Sequence, residues 1–172
     1  MFASGHEFLA NSRCDTPSCV VLEMSLPDVH GLDVQQRVAT NRLDMPVIFV
    51  SAYVDVPMTV RAMKAGAAEV LVKPVSHEVL LTAIEQAIER SKIARQDEAE
   101  MVELQKAYRS LTARERQVMQ LVVAGLLNKQ VAAQLSISEI TVKAHRGKVM
   151  RKMRARSFAA LVKMAARLEE VE

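Results

Sequence analysis

The positions of proline and glycine divide this chain into two parts with different secondary structure. All five prolines lie within the first 74 residues, whereas the stretch from Val75 to Ala124 contains neither proline nor glycine. Because proline interrupts helices and glycine weakens them, only the second stretch is free to form long helices. The sequence therefore predicts short elements and turns first, and an all-helical part after them.

Three short apolar runs in the first part alternate with helical patterns. They are VVLE at 20–23, VIFV at 47–50 and VLV at 70–72. Strands that alternate with helices at this spacing indicate βαβ units, so we predict an α/β domain with a parallel sheet over residues 1–90. Glu23 ends the first run, and the carboxyl end of a strand in such a sheet is where ligands and reactive groups usually lie.

The residues after Pro74 follow a helical pattern. We predict one long helix, or two nearly continuous ones, over residues 77–108, with a helical linker at 91–107. A capping box formed by Thr112 and Glu115 then opens a new helix. An all-α domain of four helices is therefore predicted over residues 108–172.

A helix-turn-helix is predicted inside this second domain. The helix after Thr112 ends at Gly125, and a short helix follows at about 128–135. A three-residue turn leads to a helix capped by Ser138, which is the helix-turn-helix arrangement. A last amphipathic helix starts after Ser157, and we expect it to expose Leu, Met and Ala side chains that could form a dimer seam.

Charge is distributed unevenly along the chain. Residues 1–90 hold 7 Lys/Arg and 11 Asp/Glu, and residues 91–172 hold 16 and 9, for a net charge of +3. Seven basic residues and no acid fall between positions 143 and 156. Such asymmetry indicates a nucleic acid or a membrane surface as the partner of the second part.

The helix after Ser138 has two different faces when projected at about 100° per residue. Val142, Val149 and Met153 fall together and predict a core seam. The opposite face collects charged and small residues, namely Ile140, Lys143, Ala144, Gly147, Lys148 and Arg151. Small residues let a backbone approach base edges, while Lys and Arg reach phosphates and guanine, so this face is predicted to bind double-stranded DNA.

The alternative is a basic helix that is solvated or lies on a membrane surface. A solvated face rarely carries seven basic residues without an acid, and the apolar seam lacks the large aromatic residues of interfacial helices. The apolar runs of the chain are too short to cross a membrane. No basic-then-apolar leader opens the chain, so we expect a cytoplasmic protein without a membrane partner.

A metal or cofactor site is not expected. The two cysteines, Cys14 and Cys19, have no histidine nearby, and the four histidines are scattered along the chain. A protein metal site needs three or four ligands. We therefore expect no metal and no cofactor.

Residues 111–157, from LTARERQ to RARS, resemble the LuxR-type output domain of response regulators of the NarL/FixJ class. The resemblance implies base-edge contacts from Lys143, Ala144 and Gly147. It implies phosphate contacts from Arg146, Lys148 and Arg151, and structural roles for Glu115, Asn128 and Lys129. It also implies a transcription regulator that is not an enzyme, that binds DNA as a homodimer and that has RNA polymerase as a partner.

Residues 1–90 resemble the later part of a receiver domain, whose parallel sheet is flavodoxin-like. VVLEMSLPDVHG resembles the phosphoacceptor strand and loop, and it places Glu23 at the phosphoacceptor position. Ser51 matches the hydroxyl that senses the phosphoryl group. Lys73 and Pro74 match the lysine and the following proline of receivers, and Val70 stands at the position of their aromatic switch residue.

Departures from the receiver pattern predict that Glu23 is not phosphorylated by the usual route. Receivers carry Asp at the position of Glu23 and an aromatic residue at that of Val70. The first strand, its helix and most of the second strand do not precede Glu23 in this chain, and neither does the acidic pair that holds Mg²⁺. We expect the strand before Glu23 to be an exposed edge, and a sensor histidine kinase is a doubtful partner.

Three hypotheses follow from these observations. The first is a DNA-binding transcription regulator whose receiver is degenerate. The second is a phospho-accepting receiver, if an upstream segment is missing from this sequence. The third is a protein that does not bind DNA and instead associates with an intact regulator and inhibits it. The basic helix favours the first hypothesis over the third, and Glu23 argues against the second.

Overall fold

The computed structural model describes residues 1–10, 15–42 and 44–169. Its chain forms two compact units, Met1–Asp97 and Glu98–Glu172. Cys14, one of the two cysteines considered above, lies outside the described residues. No helix among the described residues has both the length and the apolar character needed to cross a bilayer.

The first unit is built on a parallel sheet of three strands. These are β1 (Val20–Leu22), β2 (Val47–Ser51) and β3 (Glu69–Val72), in the order β1-β2-β3. Three helices connect or precede them: α1 (Gly5–Ala10), α2 (Gly31–Asn41) and α3 (Val56–Lys64). All five residues of β2 are buried, as a strand covered on both faces requires. The predicted α/β class and parallel sheet are confirmed.

Two apolar clusters cover the two faces of this sheet. Phe49 of β2 packs with Val34 and Val38 of α2 on one side. Ile48 and Val50 pack on the other side with residues of α4 (His77–Arg109). The strand before Glu23 lies at an edge, as predicted, because β1 pairs only with β2 among the described residues.

The described residues of the second unit, 98–169, form helices and the turns between them. The helix α4 begins in the first unit at His77 and ends at Arg109, and α5 (Ala113–Val123), α6 (Asn128–Leu135), α7 (Glu139–Lys152) and α8 (Phe158–Glu169) follow it. The capping box of Thr112 and Glu115 is formed, and Gly125 after α5 has a φ of +92°. That left-handed conformation suits glycine and ends the helix.

The prediction that α8 exposes its apolar residues as a dimer seam needs correction. Leu161 and Ala165 are buried against Met119 of α5 and Met153 at the end of α7. They therefore belong to the core of their own unit. The apolar side chains that α8 does expose are Phe158, Ala159 and Ala166.

Candidate nucleic-acid interface

The helix α7 is held at its start by a tight turn. The chain leaves α6 at Ser136, which adopts a left-handed conformation with a φ of 53°. The amide of Ile137 then donates to the carbonyl of Ala132 over 3.0 Å. Ser138 accepts the Thr141 amide through its hydroxyl over 3.1 Å, as a helix cap should. The predicted turn and cap of the helix-turn-helix are thus confirmed.

The buried face of α7 determines which side of the helix packs against the rest of the unit. Val142 packs in a cluster with Val118 of α5 and Val131 of α6. Val149 and Met153 pack in a second cluster with residues of α4, α5 and α8. The predicted core seam is therefore correct, and the opposite side of α7 has to face solvent.

The solvent side of α7 contains every residue predicted for its basic face. Exposed side chains or backbone are found at Ile140, Lys143, Ala144, Gly147, Lys148 and Arg151. Ile140 is 79% exposed. Within residues 1–10, 15–42 and 44–169, no ion pair joins the three cations of this face to a carboxylate. Their charge is thus available to an external anion.

Gly147 is not required by the packing of the protein itself. A Cβ added at this position would meet nothing within 4 Å. Glycine in a helix interior costs about 1 kcal/mol relative to alanine. No contact within the fold offsets that cost, whereas a partner that approaches the backbone closely would.

Arg146 differs from the other basic residues of α7. It is half-buried, and its Nη1 donates to the Asn128 Oδ1 at the start of α6 over 2.6 Å. Its guanidinium also lies over the ring of Phe158 at the start of α8, 5.5 Å from the ring centroid. The structure therefore places Arg146 against two neighbouring helices rather than on the exposed face.

Lys152 is also engaged within the fold. Its Nζ donates to the carboxylate of Glu115 over 2.7 Å and to the carbonyl of Ser110 over 2.9 Å. The Glu115 side chain is only 4% exposed, and that of Lys152 is 35% exposed. The hydrogen bond from Lys152, together with the one from the Thr112 amide, lowers the pKa of Glu115 to about 2. Lys152 is one of the seven basic residues between positions 143 and 156, and its pairing with Glu115 is not apparent from the sequence.

The second predicted site lies at the end of β1. The Nζ of Lys73 donates to Glu23 Oε2 over 2.6 Å, and the amide of Met24 donates to Oε1 over 3.0 Å. Partial burial alone would raise the pKa of Glu23. Hydrogen bonds from Lys73, from the Ser51 hydroxyl and from the Met24 amide outweigh that effect and hold the pKa below its ordinary value. Glu23 is therefore a carboxylate at neutral pH.

The remaining predicted receiver residues surround this pair. Ser51 is buried at the end of β2. Val70 is half-buried, pairs with Phe49 in the sheet and packs against the core on the α2 side. The bond between Lys73 and Pro74 is cis. The structure thus brings Glu23, Ser51 and Lys73 together and leaves Val70 in the core.

A contact that the sequence did not reveal joins α1 to the loop between β1 and α2. Asp28 accepts hydrogen bonds from the amides of His6 and Gly5 and lies 2.6 Å from the Nδ1 of His6. The amide of His6 contributes most to holding the pKa of Asp28 well below its usual range, and the His6 ring and Gly5 amide add to it. His6 and Asp28 are 22 residues apart in the sequence, so no local pattern indicates that they are in contact. In the part of the chain that the structure describes, no group of three or more His, Cys, Asp or Glu could hold a metal ion.

Two family models match the chain. The model described as "Response regulator receiver domain" matches residues 1–85. The model described as "Bacterial regulatory proteins, luxR family" matches residues 109–165, which include α5, α6 and α7.

Individual relatives match nearly the whole chain. Nodulation protein W of Bradyrhizobium diazoefficiens is 46% identical over 167 residues, which are 97% of this chain and 74% of that protein. The transcriptional regulatory protein FixJ of Rhizobium meliloti is 38% identical over 165 residues, or 96% of this chain and 81% of FixJ. Among experimental structures, the response regulator StyR is 42% identical, with a TM-score of 0.81 over 96% of this chain and 84% of that one.

Proposed function

The chain belongs to the response regulators of the NarL/FixJ class, which join a receiver domain to a LuxR-type DNA-binding domain, and we propose on this premise that α7 binds DNA through its exposed face. It is a transcription regulator that binds DNA. In the proposed complex Lys143, Ala144 and Gly147 meet base edges, and Lys148 and Arg151 contact phosphates. The observation that carries the proposal is a set of exposed cations on α7 that pair with no carboxylate of the described residues. A glycine that the fold does not require lies among them.

The chemistry of these side chains supports the division of roles. Lys143 is the cation of this face that stands next to the small residue Ala144, and a Lys can donate to the O6 and N7 of guanine. Lys148 and Arg151 lie further along α7, and cations there neutralise phosphates without reading sequence. One base-reading cation limits how much discrimination α7 provides alone.

Replacing Lys143 by Ala is expected to relax discrimination at one base-pair position by about 1–3 kcal/mol. The measurement compares affinities for a duplex selected by the parent chain from a randomised library with those for its single-base-pair variants. Lys64→Ala in α3 removes an equally exposed charge from the other unit and serves as the control. Unchanged discrimination in Lys143→Ala would remove Lys143 from the base-reading set.

For the first unit, we propose that Glu23 is a fixed charge and not a phosphate acceptor. Phosphoryl transfer depends on in-line positioning, and a misplacement of about 1 Å can cost about a hundredfold. The extra methylene of Glu moves its carboxylate by roughly 1.5 Å, about one C–C bond. The pair with Lys73 already satisfies this carboxylate, and Val70 provides no aromatic ring to rotate. A receiver can transmit phosphorylation only if it has two conformations that phosphorylation stabilises to different extents.

DNA affinity is therefore expected to be independent of a small phosphodonor such as acetyl phosphate. Glu23→Gln is expected to leave DNA affinity unchanged, because the pair with Lys73 does not stabilise a conformation of the protein that binds DNA more tightly. The affinity of both proteins for one duplex, with and without the phosphodonor, checks this. A tenfold loss in Glu23→Gln, about 1.4 kcal/mol, or incorporation of label from the phosphodonor, would contradict it.

We also propose the partners and the location that this class of protein implies. A second copy binds the same duplex, and RNA polymerase is a further partner. The protein acts in the cytoplasm and carries out no catalysis. The support is the class of its relatives, which are named as response regulators and a transcriptional regulatory protein.

A further inference from the structure

Arg146 joins three helices of the second unit. It lies in the middle of α7, its Nη1 donates to Asn128 at the first residue of α6, and its guanidinium lies over the ring of Phe158 at the first residue of α8. The bond to Asn128 is 2.6 Å long and partly buried. Lys148 and Arg151, by contrast, are exposed.

This use of Arg depends on the shape of the guanidinium as well as on its charge. A planar guanidinium can stack on an aromatic face and donate a hydrogen bond in its own plane at the same time. A Lys ammonium keeps the charge, but it is a compact point charge without a plane to stack. The two contacts of Arg146, with Asn128 and with the ring of Phe158, therefore suit a guanidinium better than an ammonium group.

We propose that Arg146 is a positioning residue that sets the rotation of α7 against α6 and α8, and thereby the base discrimination by Lys143, and that it is not a phosphate contact. The inference rests on the proposed function of α7. Ser138 anchors the start of α7, and Lys152 anchors its end through Glu115. Arg146 provides the anchor between them.

Small rotations of α7 affect base discrimination because hydrogen bonds to base edges depend on distance and angle. A bidentate contact between a side chain and a base requires both hydrogen bonds to be short and aligned. A helix that turns slightly about its axis carries Lys143 away from the base edge, whereas phosphate contacts by long flexible side chains adapt. The loss of Arg146 should therefore affect discrimination more than general affinity.

Two substitutions distinguish a role of Arg146 in positioning α7 from a role of its charge in binding phosphate. Arg146→Gln removes the charge, and its amide ends about two bonds short of the Nη1 that donates to Asn128, so it also loses the contact. Arg146→Lys keeps the charge and removes the plane. We expect Arg146→Lys to lose about tenfold in discrimination at the position read by Lys143, which is about 1.4 kcal/mol. We expect Arg146→Gln to lose at least as much discrimination, and to keep the parent's slope of log affinity against log salt.

A phosphate contact would give a different result for both variants. Arg146→Lys would then behave as the parent does, and Arg146→Gln would flatten the salt slope by about 0.9. Either result overturns the inference. Circular dichroism melts of both variants establish that they are folded under the binding conditions.

Asn128→Ala provides a second test, because it leaves the charge of Arg146 in place. It is expected to reduce discrimination without changing the salt slope, and to add little to the effect of Arg146→Lys in the double variant. Full additivity of the two substitutions would overturn the inference, since residues acting through one contact are coupled. Failure of the proposed function would be recognised separately, by unchanged discrimination in Lys143→Ala.

Discussion

Glu115→Ala is expected to lower the free energy of unfolding of the second unit by about 3 kcal/mol. The pKa of this carboxyl falls from the ordinary value of 4.5 to about 2 in the fold, and each pKa unit corresponds to about 1.4 kcal/mol. The substitution removes the acceptor of the Thr112 amide and leaves Lys152 without its carboxylate. Hydrogen exchange of the α5 amides, which reports on this unit alone, is the measurement.

A control and a pH series accompany this substitution. Glu103→Ala removes an exposed carboxylate that pairs loosely with Lys106, at 3.6 Å, and is expected to cost less than about 1 kcal/mol. Because the folded pKa of Glu115 is depressed, its contribution is fully present above pH 4.5 and is lost as the pH falls towards 2. The stability difference between parent and Glu115→Ala should shrink over that interval. A difference that stays constant with pH would contradict the ionic origin.

Replacing Lys148 and Arg151 together by Ala is expected to reduce affinity for every duplex by at least about a hundredfold. A hydrogen bond to a charged group contributes about 1.5–3 kcal/mol, and two such contacts would be lost. The loss should be equal for selected and unselected sequences, because phosphates carry no sequence information. Arg61→Ala with Lys64→Ala in α3 removes the same charge from exposed positions of the other unit and is the matched control. A loss confined to the selected duplex would contradict the assignment to phosphates.

Much of the second unit could be predicted because its signals are local. The capping box of Thr112 and Glu115 fixes where α5 begins, and Ser138 fixes where α7 begins. The buried seam of α7 follows from helical periodicity alone, since residues three, four and seven apart share a face. The β-strands could be located because their apolar runs are short, rich in Val and Ile, and bounded by turn residues and helical patterns.

The pairings of long side chains could not be predicted in this way. Helical projection gives the direction in which Arg146 and Lys152 leave α7, but both reach neighbours on other helices. Which neighbour stands there depends on the packing of α5, α6 and α8, and that is not a local property. The same reason explains why Leu161 is buried although Leu, Met and Ala side chains of this helix were expected at its surface.

The salt dependence of DNA affinity tests most directly the claim that the exposed face of α7 is the DNA-binding surface. Each phosphate contact contributes about 0.9 to the slope of log affinity against log salt concentration, so two contacts contribute about 1.8. The variant with Lys148→Ala and Arg151→Ala should therefore show a slope that is shallower than the parent's by about 1.8. The control with Arg61→Ala and Lys64→Ala should keep the parent's slope. Equal slopes in all three proteins would contradict the claim.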